Sequence, residues 1–174
     1  MRAAVVTRFG GPEVFEPTEL PDPVPGPGQV AIDVTYAAVG LVDIYIRRGL
    51  YKDRAGLPQP PYVPGLEVAG TIRALGDGVE GFHVAEPVVT LSGTGAEGGY
   101  ASVTVVDAAM TVSLDGTGIG PAAAVAALPN AATAYAALTQ VAHLKPGERV
   151  LVHGPWADWP RHSPEWHEPW APPA

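Results

Sequence analysis

The side chains able to do chemistry gather in two short stretches. VDIYIRRGLY (42–51) holds Asp43, Tyr45, Arg47, Arg48 and Tyr51, and GLEVAG (65–70) holds Glu67 between glycines. Taken alone, the aromatic residues read as barrel-edge packing, Asp43 as a helix cap and the two arginines as a solvated face. Glu67 reads as structural, pairing with a buried cation or capping a loop, because a general acid must reach the reacting atom. Gly65, Gly70 and Gly76 suit turns and close backbone approach. No metal site is expected. There is no cysteine, His83, His143 and His153 are far apart in sequence, and His162 and His167 lie in a tryptophan-rich tail.

Composition narrows the rest. In 174 residues, 18 acidic against 10 basic side chains leave a net charge of −8, and no run of Lys or Arg offsets it, so nucleic acid is excluded as a partner. The absence of cysteine excludes disulfides and thiolate-bound metals. No signal peptide is read at the start. The longest apolar stretch, Ala122 to Leu138, is interrupted by Pro129 and Asn130 and is not expected to enter a membrane. A soluble, cytoplasmic protein is expected.

These residues need elements to position them, and 21 glycines with 20 prolines predict many turns between short strands. Arg2 to Thr7 and Val14 to Leu20 form a hairpin around Phe9–Pro12. Residues 21–28 (PDPVPGPG) make a stiff connector, because proline lacks the backbone donor that regular structure uses. Gln29 to Val39 alternates through Val30, Ile32, Val34 and Tyr36 as a half-buried strand, and Leu41 to Arg48 changes to helical spacing. Leu66–Leu75, Val84–Leu91 and Tyr100–Val106 complete an antiparallel β domain over residues 1–115. Two helices are expected between Gly120 and Ala142, one begun at Pro121 and one capped by Asn130. Arg149 to His153 reads as a buried strand ending at Gly154, the opening of a second domain over 116–154.

Residues 155–174 (PWADWPRHSPEWHEPWAPPA) fit neither strand nor helix, with four tryptophans and six prolines. Tryptophan's single codon, TGG, constrains the frame displaced by one base. Read from the last base of each codon, the triplets after Trp156, Trp159, Trp166 and Trp170 encode Gly, Ala, Ala and Gly, and the triplet across Asp158 and Trp159 encodes Leu. With G or C at open positions the shifted message reads Gly-Ala-Leu-Gly-Gly-Leu-Ala-Ala-Ala, a glycine turn running into a helix. The expectation is a frameshift, natural or from cloning, that replaced the continuation of a dinucleotide fold.

Four collinear segments carry a family resemblance: RFGGPEVFE (8–16), VDIYIRRGLY (42–51), the pattern G-x-E-x-x-G-x5-G-x2-V begun at Gly65, and PNAATAYAAL (129–138) followed by LKPGERVLVHG (144–154). Over residues 1–154 the chain resembles the zinc-free quinone oxidoreductase branch of the medium-chain dehydrogenase/reductase family. The fold implied is β-rich α+β: a GroES-like, partly open barrel with C-terminal helices and the first strand of a truncated Rossmann domain.

The resemblance implies hydride transfer from NADPH to a quinone or enone, with Asp43, Tyr45 and Tyr51 lining a catalytic cleft. Gly40, Thr133 and Gly154 would meet the cofactor. Zinc-dependent members would carry Cys near position 40 and His where Leu66 stands; both are missing, so no zinc is expected. The branch's Val-Asn is here Val39-Gly40, and its Gly-Asp-Arg turn is Ala85-Glu86-Pro87. Alone, the chain is expected to bind NADPH very weakly, to be inactive, and to form a homodimer through the face its second domain would cover. The alternatives are an enoyl-thioester reductase of the same group and a non-catalytic GroES-like binding module.

Overall fold

The computed structural model describes residues 1–91 and 98–151. The expectations for the tail, 155–174, and for Gly154 lie outside the described residues. The chain divides into two compact units, 1–128 and 129–174.

The first unit is built on antiparallel sheet. Strands β1 (Arg2–Val6) and β2 (Phe15–Glu19) pair as a ribbon, in register from Arg2 opposite Glu19 to Val6 opposite Phe15. Strands β3 (Gln29–Ala37), β4 (Glu67–Leu75), β5 (Pro87–Leu91), β6 (Val103–Asp107) and β7 (Thr111–Ser113) form an open five-stranded sheet in the order β6-β3-β4-β5-β7. Single bridges, Ala3 to Ala101 and Val6 to Tyr62, tie the ribbon to the segments flanking the sheet. The partly open, β-rich barrel expected from the sequence is what forms.

β3 departs from simple alternation. Val30, Ala31 and Ile32 are all buried while Tyr36 is exposed, and pairing with β4 slips at Arg73 of β4, between Ala31 and Ile32, and at Thr35 of β3, between Val34 and Tyr36. The extra residue Thr35 resets which face the side chains after it in β3 take. The strand expected from Val84 starts only at Pro87: Ala85 sits at φ 69°, and its N–H bonds the Ile72 carbonyl at 2.7 Å. Between the faces, Val30, Ile32, Ile72, Val88 and Val106 make one core cluster, and Ala69, Val89, Leu114, Ala124 and Val125 a second. A third, Val6, Val14, Ile46 and Tyr62, lies under the ribbon and under helix α1 (Leu41–Arg47).

Two expectations are corrected. The segment after Gly120 is one helix, α2 (Pro121–Ala136), continued by a π-turn over Ala137–Val141, and Asn130 caps nothing because the helix runs through it. Pro129 removes one backbone bond but α2 continues, since alanine before and after it favours the helix at every other position. By length and composition this helical run would suffice to cross a membrane, a test that core helices of soluble proteins also pass. The strand expected from Arg149 is not formed at 149–151, and Val150 and Leu151 are exposed. A strand buried on both faces needs neighbours to pair with, and none pairs with these residues among those described.

Candidate active site

α1 positions most of the expected site. Gly40 precedes it in extended conformation (φ −99°, ψ 166°), and its N–H donates to Asp43 Oδ2 at 2.8 Å. The carboxylate thus satisfies one donor that a helix start leaves open. Beyond the helix, Gly49 takes φ +75°, a conformation that favours glycine, and its N–H bonds the Ile46 carbonyl at 2.9 Å. Ile46 points into the third core cluster, while Leu41 and Val42 in the first turn of α1 are exposed.

Arg47 is not the solvated cation expected. It is half-buried, its Nε donates to the Gly10 carbonyl at 3.3 Å, and its guanidinium lies 5.4 Å from the centre of the Phe15 ring. Arg48 is exposed, as expected. Tyr45 and Tyr51 meet edge to face with centroids 6.1 Å apart, and Tyr51 also packs beside Val6, Val14, Ile46 and Tyr62. Both phenols are half-buried. Asp43, by contrast, is 7% exposed and faces the interior rather than an open surface.

Behind Asp43 lies a group of polar residues. Glu67, the first residue of β4, is 8% exposed. Tyr62 is buried and its Oη has no hydrogen-bond partner among the described residues. Tyr100 is held by its backbone, whose N–H bonds the Pro64 carbonyl at 2.7 Å. A Cβ at Gly65 would strike the Tyr100 ring, and Gly65 sits at φ +105°, so only glycine suits this position.

Burial raises the Asp43 carboxyl above its ordinary range, while N–H groups of Gly40 and Gly65 and the Tyr100 phenol oppose the rise. Tyr100 Oη acts on Asp43 electrostatically but makes no hydrogen bond of ordinary geometry among the described residues. Burial and, secondarily, the charge of Asp43 push Glu67 up to about 7. Both phenols are raised, first by burial and then by Asp43, against the field of Arg47.

Across the fold, His83 Nδ1 lies 2.9 Å from Glu86 Oε2, and its Nε2 lies 3.9 Å from Asp115 Oδ2. The donor atoms of this trio fall within 4.8 Å of one another, an arrangement that the distances between histidines in sequence concealed. Buried Glu86 already accepts from the His83 N–H at 2.8 Å and from Ser113, so it serves the turn before β5. Gly40 and Leu66 carry no metal-donor atom in their side chains.

The structure therefore brings Gly40 to Asp43 and Tyr45 to Tyr51. Thr133 is exposed on α2, in the second unit. Sequence reasoning did not single out Tyr62 or Tyr100; the close approach at Gly65 and Gly99 was the available signal, a Cβ at Gly99 colliding with Val68.

Comparison with known proteins fits this geometry. Residues 26–116, more than half of the chain, match the alcohol dehydrogenase GroES-like domain. A quinone oxidoreductase of Lama guanicoe is 41% identical over 155 residues, 88% of this chain and 45% of that protein. An alcohol dehydrogenase superfamily protein from Novosphingobium aromaticivorans superposes with a TM-score of 0.81 at 30% identity, over 91% of this chain and 47% of the other. A mycobacterial protein solved in complex with NADPH gives 0.75 at 32% identity, over 89% and 46%. The chain spans about half the length of the curated relatives it matches. With its GroES-like domain, its strand order and these relatives in agreement, the chain belongs to the medium-chain dehydrogenase/reductase family of oxidoreductases, on the quinone oxidoreductase side.

Proposed function

We propose that this chain supplies the substrate side of a reductase that transfers hydride from NADPH to a quinone or an activated alkene. The observation that carries the reading is the Tyr45–Tyr51 pair, two half-buried phenols on and just beyond a helix whose first turn exposes Leu41 and Val42, with exposed Leu50 between them in sequence. A flat acceptor that is apolar except at its oxygens calls for that mixture. A phenol donates to the acceptor oxygen and stabilises the negative charge that develops there. Asp43 orients the helix start through Gly40. NADPH, when bound, supplies the hydride, and each turnover also takes up one proton, leaving hydroquinone and NADP⁺.

The fit to the cofactor is partial. At Gly40 the face is open, a Cβ there meeting only Asp43 Oδ2 at 3.4 Å and the Val42 nitrogen at 3.9 Å, and Thr133 is exposed. The strand expected to lead toward a pyrophosphate site is not formed at 149–151. In this reading the chain alone binds NADPH very weakly and is inactive, and no zinc takes part.

The test is a titration of the 174-residue chain with a soluble naphthoquinone, followed by backbone and tyrosine-ring NMR shifts. The reading expects saturable shifts at α1, Tyr45 and Tyr51. No perturbation there while an enoyl thioester does perturb them would favour the enoyl-thioester reductase. Micromolar NADPH binding, or steady quinone-dependent NADPH oxidation by this chain, would overturn the claim that it is inactive alone.

A further inference from the structure

His83 and Glu86 stand in the connection from β4 to β5, and Asp115 follows β7. The sheet brings these two segments together. β5 and β7 pair from Val88 opposite Ser113, and the Leu114 N–H bonds the Pro87 carbonyl at 2.8 Å. Within the connection, the Glu86 N–H bonds the His83 carbonyl at 3.2 Å, and the His83 N–H donates to Glu86 Oε2 at 2.8 Å. Backbone thus sets where each of the three side chains begins.

The imidazole is oriented by the buried acid. Hydrogen bonds from Ser113 and His83 hold the Glu86 carboxyl below the usual range, so at neutral pH it is a carboxylate and only accepts. With Oε2 at 2.9 Å, the proton of a neutral His83 ring belongs on Nδ1, and Nε2 keeps its lone pair. That nitrogen stands 3.9 Å from Asp115 Oδ2, too far for a hydrogen bond and with acceptor set against acceptor. A cation answers both. Bonds of about 2.0–2.2 Å let one zinc ion join an imidazole nitrogen and a carboxylate oxygen up to about 4.2 Å apart. A ligating histidine characteristically donates its other N–H to a carboxylate, which fixes ring and tautomer, and Glu86 already fills that place. Glu86 is buried, whereas His83 and Asp115 are 69% and 54% exposed, so an ion between them is open to water on its remaining sides.

We infer that His83 Nε2 and Asp115 Oδ2 form a surface site for a borderline divalent cation such as zinc, with Glu86 holding the imidazole through Nδ1 and water completing the coordination. The ion would fasten the turn before β5 to the segment after β7. None of the residues proposed to meet the acceptor takes part, so the site stands or falls independently of the reductase reading.

The experiment titrates zinc chloride into the intact chain at about pH 7.5, where an ordinary imidazole is neutral, and follows the histidine ring nitrogens by NMR. The His83 ring should shift saturably, with the change at Nε2 and the Nδ1 proton retained. Glu86→Gln should weaken zinc binding at His83 by about 10–100-fold, and Asp115→Asn by at least about tenfold. Zinc should also raise the urea midpoint of the parent and not that of Asp115→Asn. Shifts confined to His143, His153, His162 or His167, or an Asp115→Asn chain that binds zinc at His83 as tightly as the parent, overturn the inference. Asp115 is exposed and the change conserves its shape, so this variant decides the matter even if Glu86→Gln fails to fold.

Discussion

Tyr45 and Tyr51 stand with their ring planes at 84° and their centroids 6.1 Å apart, one ring on α1 and the other just past the turn that ends it. The Leu50 N–H closes that turn on the Tyr45 carbonyl at 3.0 Å, so backbone and side chains fix the two phenols together. Edge-to-face contact sets the rings' geometry without using either hydroxyl.

This arrangement separates the ring of Tyr51 from its hydroxyl. Tyr51→Phe keeps the packing against Val6, Val14, Ile46 and Tyr62 and should cost less than about 1 kcal/mol, while Tyr51→Ala should cost about 2–3 kcal/mol. Urea unfolding of the two variants checks this. In the quinone titration, Tyr51→Phe should weaken binding although its stability is nearly that of the parent.

The buried acid of β4 makes stability depend on pH. The Glu67 carboxyl rises from 4.5 to about 7 on folding, so folding favours its protonated form. Its contribution is complete below about pH 4.5 and is lost as pH climbs through about 7, a span worth at most about 3 kcal/mol. Urea midpoints measured across that interval should fall with rising pH, and Glu67→Gln should flatten the fall. Glu86 works in the opposite sense: hydrogen bonds from Ser113 and His83 hold its carboxyl below the usual range, so its stabilisation is lost as pH drops below about 4.5.

Gly65 couples conformation to packing. At φ +105°, with the Tyr100 ring where a Cβ would go, Gly65→Ala combines backbone strain with a collision and should cost more than about 2 kcal/mol. Gly78, also at positive φ but with open space around it, provides the control: Gly78→Ala should cost about 1 kcal/mol. Thermal unfolding of the two variants measures the difference.

Arg47 fastens α1 to the ribbon through Phe15 and Gly10. Arg47→Lys retains the charge but loses the planar stack and the Nε donor, and should cost about 1 kcal/mol in chemical denaturation. Phe15→Leu should lower stability similarly, and the double variant should lose less than the sum of the two.

Much of the scaffold was legible because it is written locally. Period-two runs marked the strands, prolines marked the connector, and Asp43 three residues after Gly40 marked a helix cap. What escaped depends on partners. The slip in β3 that exposes Tyr36 exists only because β4 lies alongside. Two helices were expected around Pro129, but the alanines on either side favour one continuous helix strongly enough to absorb the lost bond. At the site, the resemblance nominated Tyr45 and Tyr51 without indicating that they touch. Tyr62 and Tyr100 join Asp43 only through backbone bonds between distant segments, which no single stretch of sequence records.

Gly70 and Gly76 sit where any side chain would drive into the carbonyls of Asp33 and Gly26, at the seam joining β3 and its preceding turn to β4. A mutational scan scored by quinone binding would therefore flag both as indispensable, although neither is one of the residues proposed to meet the acceptor. Only a parallel measure of how much protein accumulates in the cell would distinguish such architectural glycines from true reagents.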